Sequence, residues 1–260
     1  MNVKTPFEAD NQEVKSFWEQ EACGTASEIV GKTPECTKEW FERIEAHRYR
    51  AEPFIHAVAQ FTRHRGKKLL EVGVGAGTDH LQWARAGVEC HGVDLTKRAI
   101  DLTSQRLALY GYKSSLQQID AEILPFPSES FDVVYSWGVI HHSAHPAAII
   151  EEVHRVLKPG GEFLGMMYHR RSLVAFKLWF KHAFLKGRPW TGLAEVVAEH
   201  MESPGTKAYT VAELQRLFSN FHRYAMVPLI TPYDIKKLPA WVIGWIPSRL
   251  GWFVAIHAQK

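Results

Sequence analysis

A short apolar run that opens into three alternate glycines, LLEVGVGAGTD at 69–79, constrains this chain more than any other stretch. A buried strand that turns straight into a helix through glycines starts a strand–helix–strand unit and lets backbone approach a ligand closely. The alternation continues through 67–168. Strands are expected at 67–73, 88–94, 114–120, 131–137 and 162–168, and helices at 77–87, 96–111 and 145–161. Thr96 is the expected N-cap of the second helix, and Gly87 and Gly111 are the stops. Such a pattern folds as an α/β, doubly wound, mainly parallel sheet with helices on both faces, whose ligands sit beyond the strand carboxyl ends. Helical stretches at 10–22 and 38–64, broken at Pro53, precede it. A helical stretch at 171–186, an irregular segment at 187–208, a helix at 210–219 capped by Thr210, and strands near 222–229 and 251–258 follow it.

The glycine loop excludes two common ligands. A triphosphate loop needs Lys-Ser or Lys-Thr after its last glycine, whereas Gly77 is followed by Thr78-Asp79. A dinucleotide fingerprint needs a third glycine where Thr78 stands. The spacing is instead E-x-G-x-G-x-G, from Glu71 through Gly73 and Gly75 to Gly77, and an acid there suits an ammonium group. Asp94 closes the second strand, where a carboxylate accepts ribose hydroxyls. Asp120 closes the third, and with Ala121-Glu122 it could hold an adenine edge. Acids at nearly every strand end, without a phosphate-binding lysine, describe a nucleoside with a cationic tail.

Composition narrows the partners. The 260 residues carry a net charge of +3, too small to call for a polyanionic partner, and TRHRGKK at 62–68 is the richest basic stretch. Cys23, Cys36 and Cys90 form no CxxC pair, which points to reduced thiols in a cytoplasmic protein. The N-terminus has no apolar signal region. No apolar run reaches the roughly 18 residues of a membrane span; the nearest, at 238–256, contains two prolines and an arginine.

At these residues the chain resembles the class I S-adenosylmethionine-dependent methyltransferases, in the small-molecule branch that includes the ubiquinone and menaquinone C-methyltransferases. The resemblance rests on four motifs in order: LLEVGVGAGTD, GVDLT, DAEILPFPSESFDVVYSWGVIHH and IIEEVHRVLKPGGEFLGMM. GWFVAIHAQK is similar to the family's antiparallel last strand, which implies a seven-stranded sheet. The resemblance implies S-adenosylmethionine as cofactor and S-adenosylhomocysteine as product. It implies that Glu71, Gly73 and Gly75 hold the methionine end while Gly77 opens the helix. Asp94 would bind the ribose, Leu95 pack on the adenine, and Asp120 with the Ala121 backbone recognise the adenine edge. Ser136 and Trp137 would lie beside the methionine moiety and sulfonium.

Methyl transfer from a sulfonium is an in-line displacement, helped by a dry site and by alignment. A base is needed only if the acceptor must lose a proton. His142, then His141, stands where such a base could reach. A metal reading of HHSAH (His141, His142, His145) is disfavoured, because no other ligand cluster exists and Pro146 starts a helix. Tyr49, with Arg48 and Glu52 on the entry helix, Tyr168 and His169 after the fifth strand, and Pro204-Gly205, Lys207 and Tyr209 are the candidate acceptor contacts. The stretch at 172–186 sets Leu173, Phe176, Phe180 and Phe184 beside Lys177, Lys181 and Lys186. It is a lid over a lipophilic acceptor, a membrane-surface helix, or a helix packed on the domain. PAWVIGWIP at 239–247 lines a pocket or makes a dimer contact, so monomer and homodimer both stand.

The expected organisation is one structural domain: an N-terminal helical cap at 1–64, a cofactor core at 65–170, a lid at 171–209, and the last part of the sheet at 210–260. The expected activity is methyl transfer to a small organic acceptor, with oxygen of an aromatic or lipophilic compound favoured and carbon, nitrogen and sulfur open. A nicotinamide oxidoreductase is disfavoured by Thr78 and Glu71, and a non-catalytic cofactor-binding module by the intact strand-end acids. A nucleic-acid methyltransferase is disfavoured by Ser136-Trp137-Gly138-Val139 standing where D/N-P-P-Y/F would be.

Overall fold

The computed structural model describes residues 11–260 apart from Pro204 and Lys237. Seven strands form one sheet: β1 (Lys68–Val72), β2 (Glu89–Asp94), β3 (Ser115–Gln118), β4 (Phe131–Trp137), β5 (Leu157–Tyr168), β6 (Arg223–Leu229) and β7 (Phe253–Gln259), in the order β3-β2-β1-β4-β5-β7-β6. Strands β1 to β5 run parallel, and β7 lies antiparallel between β5 and β6. The order reverses between β1 and β4, where Glu71 pairs with Tyr135. That switch point opens the crevice in which such sheets hold ligands.

Both sheet faces are buried, so alternate strand residues serve different cores. Leu69, Val133 and Leu164 pack with Trp83 and Leu107. Leu70, Val134 and Phe163 pack on the other side with Ile149 and Val153. The first core is closed by α3 (Thr78–Arg85) and α4 (Lys97–Leu109), the second by α5 (Pro146–Val156). Thr96 caps α4, its hydroxyl accepting from Ala99 N at 3.3 Å. Ahead of the sheet lie α1 (Gln12–Gln20) and α2 (Lys38–Ala51); α6 (Leu173–His182), α7 (Leu193–His200) and α8 (Val211–Leu217) follow β5. Thr210 and Glu213 form a complete capping box on α8. No helix among the described residues is long and apolar enough to cross a membrane.

Two elements differ from the sequence reading. The helix expected to 161 stops at Val156, and Leu157 already pairs with Phe131 of β4 before the register shifts to Val133 and Glu162. Pro159 cannot sit in a helix interior, and a buried Leu157 gains more by starting the strand. The segment expected to be irregular at 187–208 contains α7, whose Val196 and Val197 are buried. It packs on α6, where the His182 and His200 rings stack at 3.9 Å. Eight residues form a helix there because a partner covers them, not because local pattern demands it.

Candidate functional site

A cavity of about 670 Å³ lies beyond the carboxyl ends of β1, β2 and β4. The loop after β1 forms one wall. Gly73 sits at φ +83°, and a Cβ there would lie 2.2 Å from Val139, so only glycine permits this turn. A Cβ added at Gly75 would meet nothing within 4 Å, and Gly75 lines the cavity. The loop is pinned from behind: buried Arg106 donates to Ala76 O (3.2 Å), Thr78 Oγ1 (2.8 Å) and Glu45 Oε2 (2.6 Å).

Glu71, Asp94 and Asp120 all line the cavity, as do Gly73, Leu95, Ala121 and Trp137. Asp94 accepts from Thr96 N (2.9 Å), Thr96 Oγ1 (2.8 Å) and Gly75 N (3.1 Å), which ties the strand end to the loop. Burial nevertheless raises its pKa against those donors. Asp120 accepts from Asn11 Nδ2 at 2.8 Å and Glu122 N at 3.1 Å. Burial, then the nearby Asp79 and Asp94, hold the Glu71 carboxyl well above its ordinary range. Gly77 and Ser136 are not in the lining. Gly77 turns left-handed where an added Cβ would lie 2.9 Å from Thr103 Oγ1, and Ser136 Oγ donates to Val72 O at 3.0 Å inside the sheet.

Arg48 is the one Lys or Arg among the described lining residues, against seven carboxylates: Glu21, Glu52, Glu71, Asp79, Asp94, Asp120 and Glu202. Its Nη2 lies 2.6 Å from Asp79 Oδ2, and Asp79 also accepts from Tyr49 OH (3.0 Å) and Tyr135 OH (2.9 Å). Burial would raise the Asp79 carboxyl, but the Arg48 charge and these bonds hold it below its usual range. Burial likewise opposes the Arg48 charge, and Asp79 and Glu52 outweigh it.

The far wall is aromatic: Trp18, Trp137, Tyr168, Tyr233, Trp252 and Phe253. Tyr168 stacks on Trp252 at 4.4 Å, and its hydroxyl donates to Glu202 Oε1 at 2.5 Å. His142 sits among them, with Trp18 edge-on at 5.4 Å. Its Nδ1 lies 2.7 Å from Ser203 Oγ and 3.1 Å from Thr206 Oγ1, while the Thr206 hydroxyl donates to Ser203 O at 2.7 Å. With that hydrogen committed, a bare Nδ1 would face a Thr206 lone pair. A proton on Nδ1 satisfies both contacts and leaves the Ser203 hydroxyl to donate to Thr206 at 3.1 Å. The Nε2 lone pair is then free, 4.0 Å from Glu202 Oε1. Burial, and then Lys207, push the His142 pKa down to about 3.

Several expected contacts lie elsewhere. His141 is fully buried against Tyr168, outside the lining, and neither ring nitrogen has a hydrogen-bond partner among the described residues. Of the acceptor candidates Arg48, Glu52 and Tyr168 line the cavity. Tyr49 is spent on Asp79. His169 Nδ1 donates to Gly251 O at 3.1 Å. Lys207 Nζ donates to Ser143 O at 2.7 Å, and its backbone N to His141 O, so it staples the loop that carries His142. Tyr209 bridges His169 alongside β5. Gly205 lies outside the lining, and Pro204 lies outside the described residues. Of the three histidines of HHSAH, His142 bonds Ser203 and Thr206, His145 bonds Glu122, and His141 packs on Tyr168; among the described residues no three His, Cys, Asp or Glu converge as a metal site. Trp18, Glu202, Tyr233 and Trp252 complete the lining from four distant stretches, and no local motif marks them.

Residues 70–165 match a family described as a methyltransferase domain. A ubiquinone biosynthesis O-methyltransferase of Ralstonia nicotianae is 31% identical over 108 residues, 41% of this chain and 45% of that protein. Phosphoethanolamine N-methyltransferase 2 of Caenorhabditis elegans is 34% identical over 205 residues, 72% of this chain and 44% of that protein. The chain thus spans less than half the length of these curated relatives. A solved S-adenosylmethionine-dependent methyltransferase of Mesorhizobium loti matches with a TM-score of 0.58 at 18% identity, over 80% of this chain and 96% of that one, a likeness of fold.

Proposed function

We propose that this chain, which carries a class I S-adenosylmethionine-dependent methyltransferase domain, O-methylates a small aromatic or lipophilic acceptor that is uncharged or cationic when bound. The observation that carries the reading is the acidic character of the cavity lining, seven Asp and Glu side chains against the single Arg48. Such a lining repels phosphate and carboxylate groups and favours cationic or neutral ones.

The lining also fits the cofactor, which supplies an electrophilic methyl on a sulfonium. Its amino-acid end carries one carboxylate and one ammonium: Arg48 would take the first and Glu71 the second. Asp94 would accept the ribose hydroxyls beside Gly75, and Asp120 with Ala121 would take the adenine edge between Leu95 and Ile149. The aromatic wall would hold the acceptor and exclude water. His142 would receive the acceptor proton at Nε2, and Glu202 would steady the imidazolium so formed. Lys207 and Thr206 act on acceptor chemistry only by fixing His142. The relatives differ in acceptor atom, oxygen in one and nitrogen in the other, so oxygen rests on His142 and the aromatic wall.

Calorimetric titration with S-adenosylmethionine, S-adenosylhomocysteine and NADH tests the cofactor side. Binding of the first two, and not the third, is the expected result. A screen of phenols, amines and carboxylic acids with methyl-labelled cofactor tests the acceptor side, and preferred labelling of the acids would defeat the reading.

A further inference from the structure

The outer side of the segments that wall the acceptor half carries apolar surface that no described residue covers. Helix α6 turns Val174 into the cavity. Its Phe176 and Phe180, with Phe184 just beyond it, are exposed and spaced four apart, and Phe180 stacks on Phe184 at 5.3 Å. Past the helix, Leu185 is 64% exposed and Trp190 79%. Trp179 Nε1 donates to Thr191 O at 2.9 Å and holds that loop to the helix. Lys177 Nζ donates to the Asp234 carbonyl and ties α6 to the turn at Pro232–Ile235. Just beyond, Trp241 is 77% and Trp245 85% exposed. Single exposed apolar side chains are ordinary, but indoles left this far in water on neighbouring segments mark an interaction face.

The charge around them decides the partner. Neither 170–194 nor 235–260 contains an Asp or Glu, and the first holds six Lys and Arg. Lys181, Lys186 and Arg188 are exposed among the aromatics of the first stretch, and Lys236 and Arg249 flank the tryptophans of the second. A second copy docked through this face would set the same cations against each other, because a two-fold interface pairs a patch with itself. An anionic bilayer has the opposite charge, and its interfacial zone takes indoles and phenyl rings.

We propose that this face docks peripherally on an anionic lipid surface. Trp190, Trp241 and Trp245 enter the headgroup boundary, and Lys181, Lys186 and Arg188 meet the lipid phosphates. The docking elements are also those that line the acceptor half of the cavity through Val174 and Tyr233.

The test is cosedimentation of the full chain with vesicles of phosphatidylcholine alone and of phosphatidylcholine and phosphatidylglycerol in equal parts. Two variants accompany it, Trp190→Ala/Trp241→Ala/Trp245→Ala and Lys181→Glu/Lys186→Glu, each with a thermal melt to confirm folding. Expected are binding at least ~10-fold tighter to the anionic vesicles, a loss of ~10-fold in either variant, and weakening as salt shortens the screening length to about 3 Å near 1 M. Absence of binding to anionic vesicles would overturn the proposal, as would equal, salt-independent binding to both kinds. A dimer in sedimentation equilibrium that the tryptophan variant dissolves, without lipid binding, would assign the face to a second copy instead. Cofactor binding is read separately, so none of these outcomes bears on the methyl-transfer reading.

Discussion

Glu71 and His80 share a single proton. His80 Nδ1 lies 2.9 Å from Glu71 Oε2, and its Nε2 lies 2.8 Å from Ser114 Oγ. The Ser114 hydroxyl donates to Cys90 O at 2.7 Å, so it can only accept from His80, whose Nε2 must carry hydrogen. One further proton lies between Nδ1 and the carboxyl. Burial pushes His80 down to about 4 and Glu71 up, which places that proton on Glu71. The expected state of the acid at the mouth of the glycine loop is therefore neutral until a cation arrives to ionise it.

Stability should record this pair. Unfolded, it loses its last proton at the ordinary histidine value of 6.5; folded, it keeps that proton to the raised Glu71 value. Above pH 6.5 the folded state binds more protons, so stability falls as pH rises, at about 1.4 kcal/mol per unit. Glu71→Gln mimics the protonated acid and should remove this contribution to the slope, read from urea midpoints between pH 6.5 and 8.5. Equal slopes in the two proteins would mean that the folded pair has already lost this proton.

The same Glu71→Gln variant should weaken S-adenosylhomocysteine by ~10- to 100-fold, the worth of a hydrogen bond to a charged group. Titration at constant pH reads this directly, and unchanged affinity would remove Glu71 from the cofactor's ammonium.

Asp94 has two jobs that can be separated. Thr96→Ala removes the α4 cap and one of Asp94's donors, and should cost about 1 kcal/mol of stability with little change in cofactor affinity. Asp94→Ala should lose binding by ~100-fold or more. Equal losses of affinity in both variants would mean that Asp94 acts only by holding the loop.

His142→Gln should lower kcat by about 10²- to 10⁴-fold with the acceptor KM nearly unchanged, as for loss of a proton acceptor. Ser203→Ala, which unties Nδ1, should lower it less. With a His142 pKa near about 3, kcat should be flat from mildly acidic to neutral pH in the wild type. A rise in kcat through pH 6 to 7 would point to a different base.

Arg106→Ala should destabilise the fold by about 1–3 kcal/mol, because it removes the donors to Ala76 O and Thr78 Oγ1 that pin the glycine loop, while Glu45 keeps Arg85 at 3.0 Å. Arg106→Lys should recover little, since an ammonium cannot span Ala76, Thr78 and Glu45 at once. Urea unfolding of the two variants side by side checks both statements.

The parts read correctly from sequence are those whose cause is local. Gly73 marks a backbone that admits no Cβ, Thr96 marks a helix start, and the alternation of Leu69 and Leu70 marks a strand buried on both faces. Glu71, Asp94 and Asp120 follow from these, because they stand at or just past the ends of β1, β2 and β3, and such ends share one edge of the sheet. Where causes were not local the reading failed. Nothing near Lys207 says that its ammonium will be consumed by Ser143 O, and nothing near Tyr49 announces Asp79.

The sequence by itself thus determined the sheet, the loop and the acids along its edge, since hydrophobic period and glycine placement act over a few residues. Tertiary structure alone decided which histidine faces the cavity. His141 and His142 are adjacent and chemically identical, yet one is sealed against Tyr168 while the other is held open by Ser203 and Thr206, some sixty residues away. Only the packing of distant segments distinguishes them, because burial and hydrogen-bond direction belong to surroundings and not to residue type.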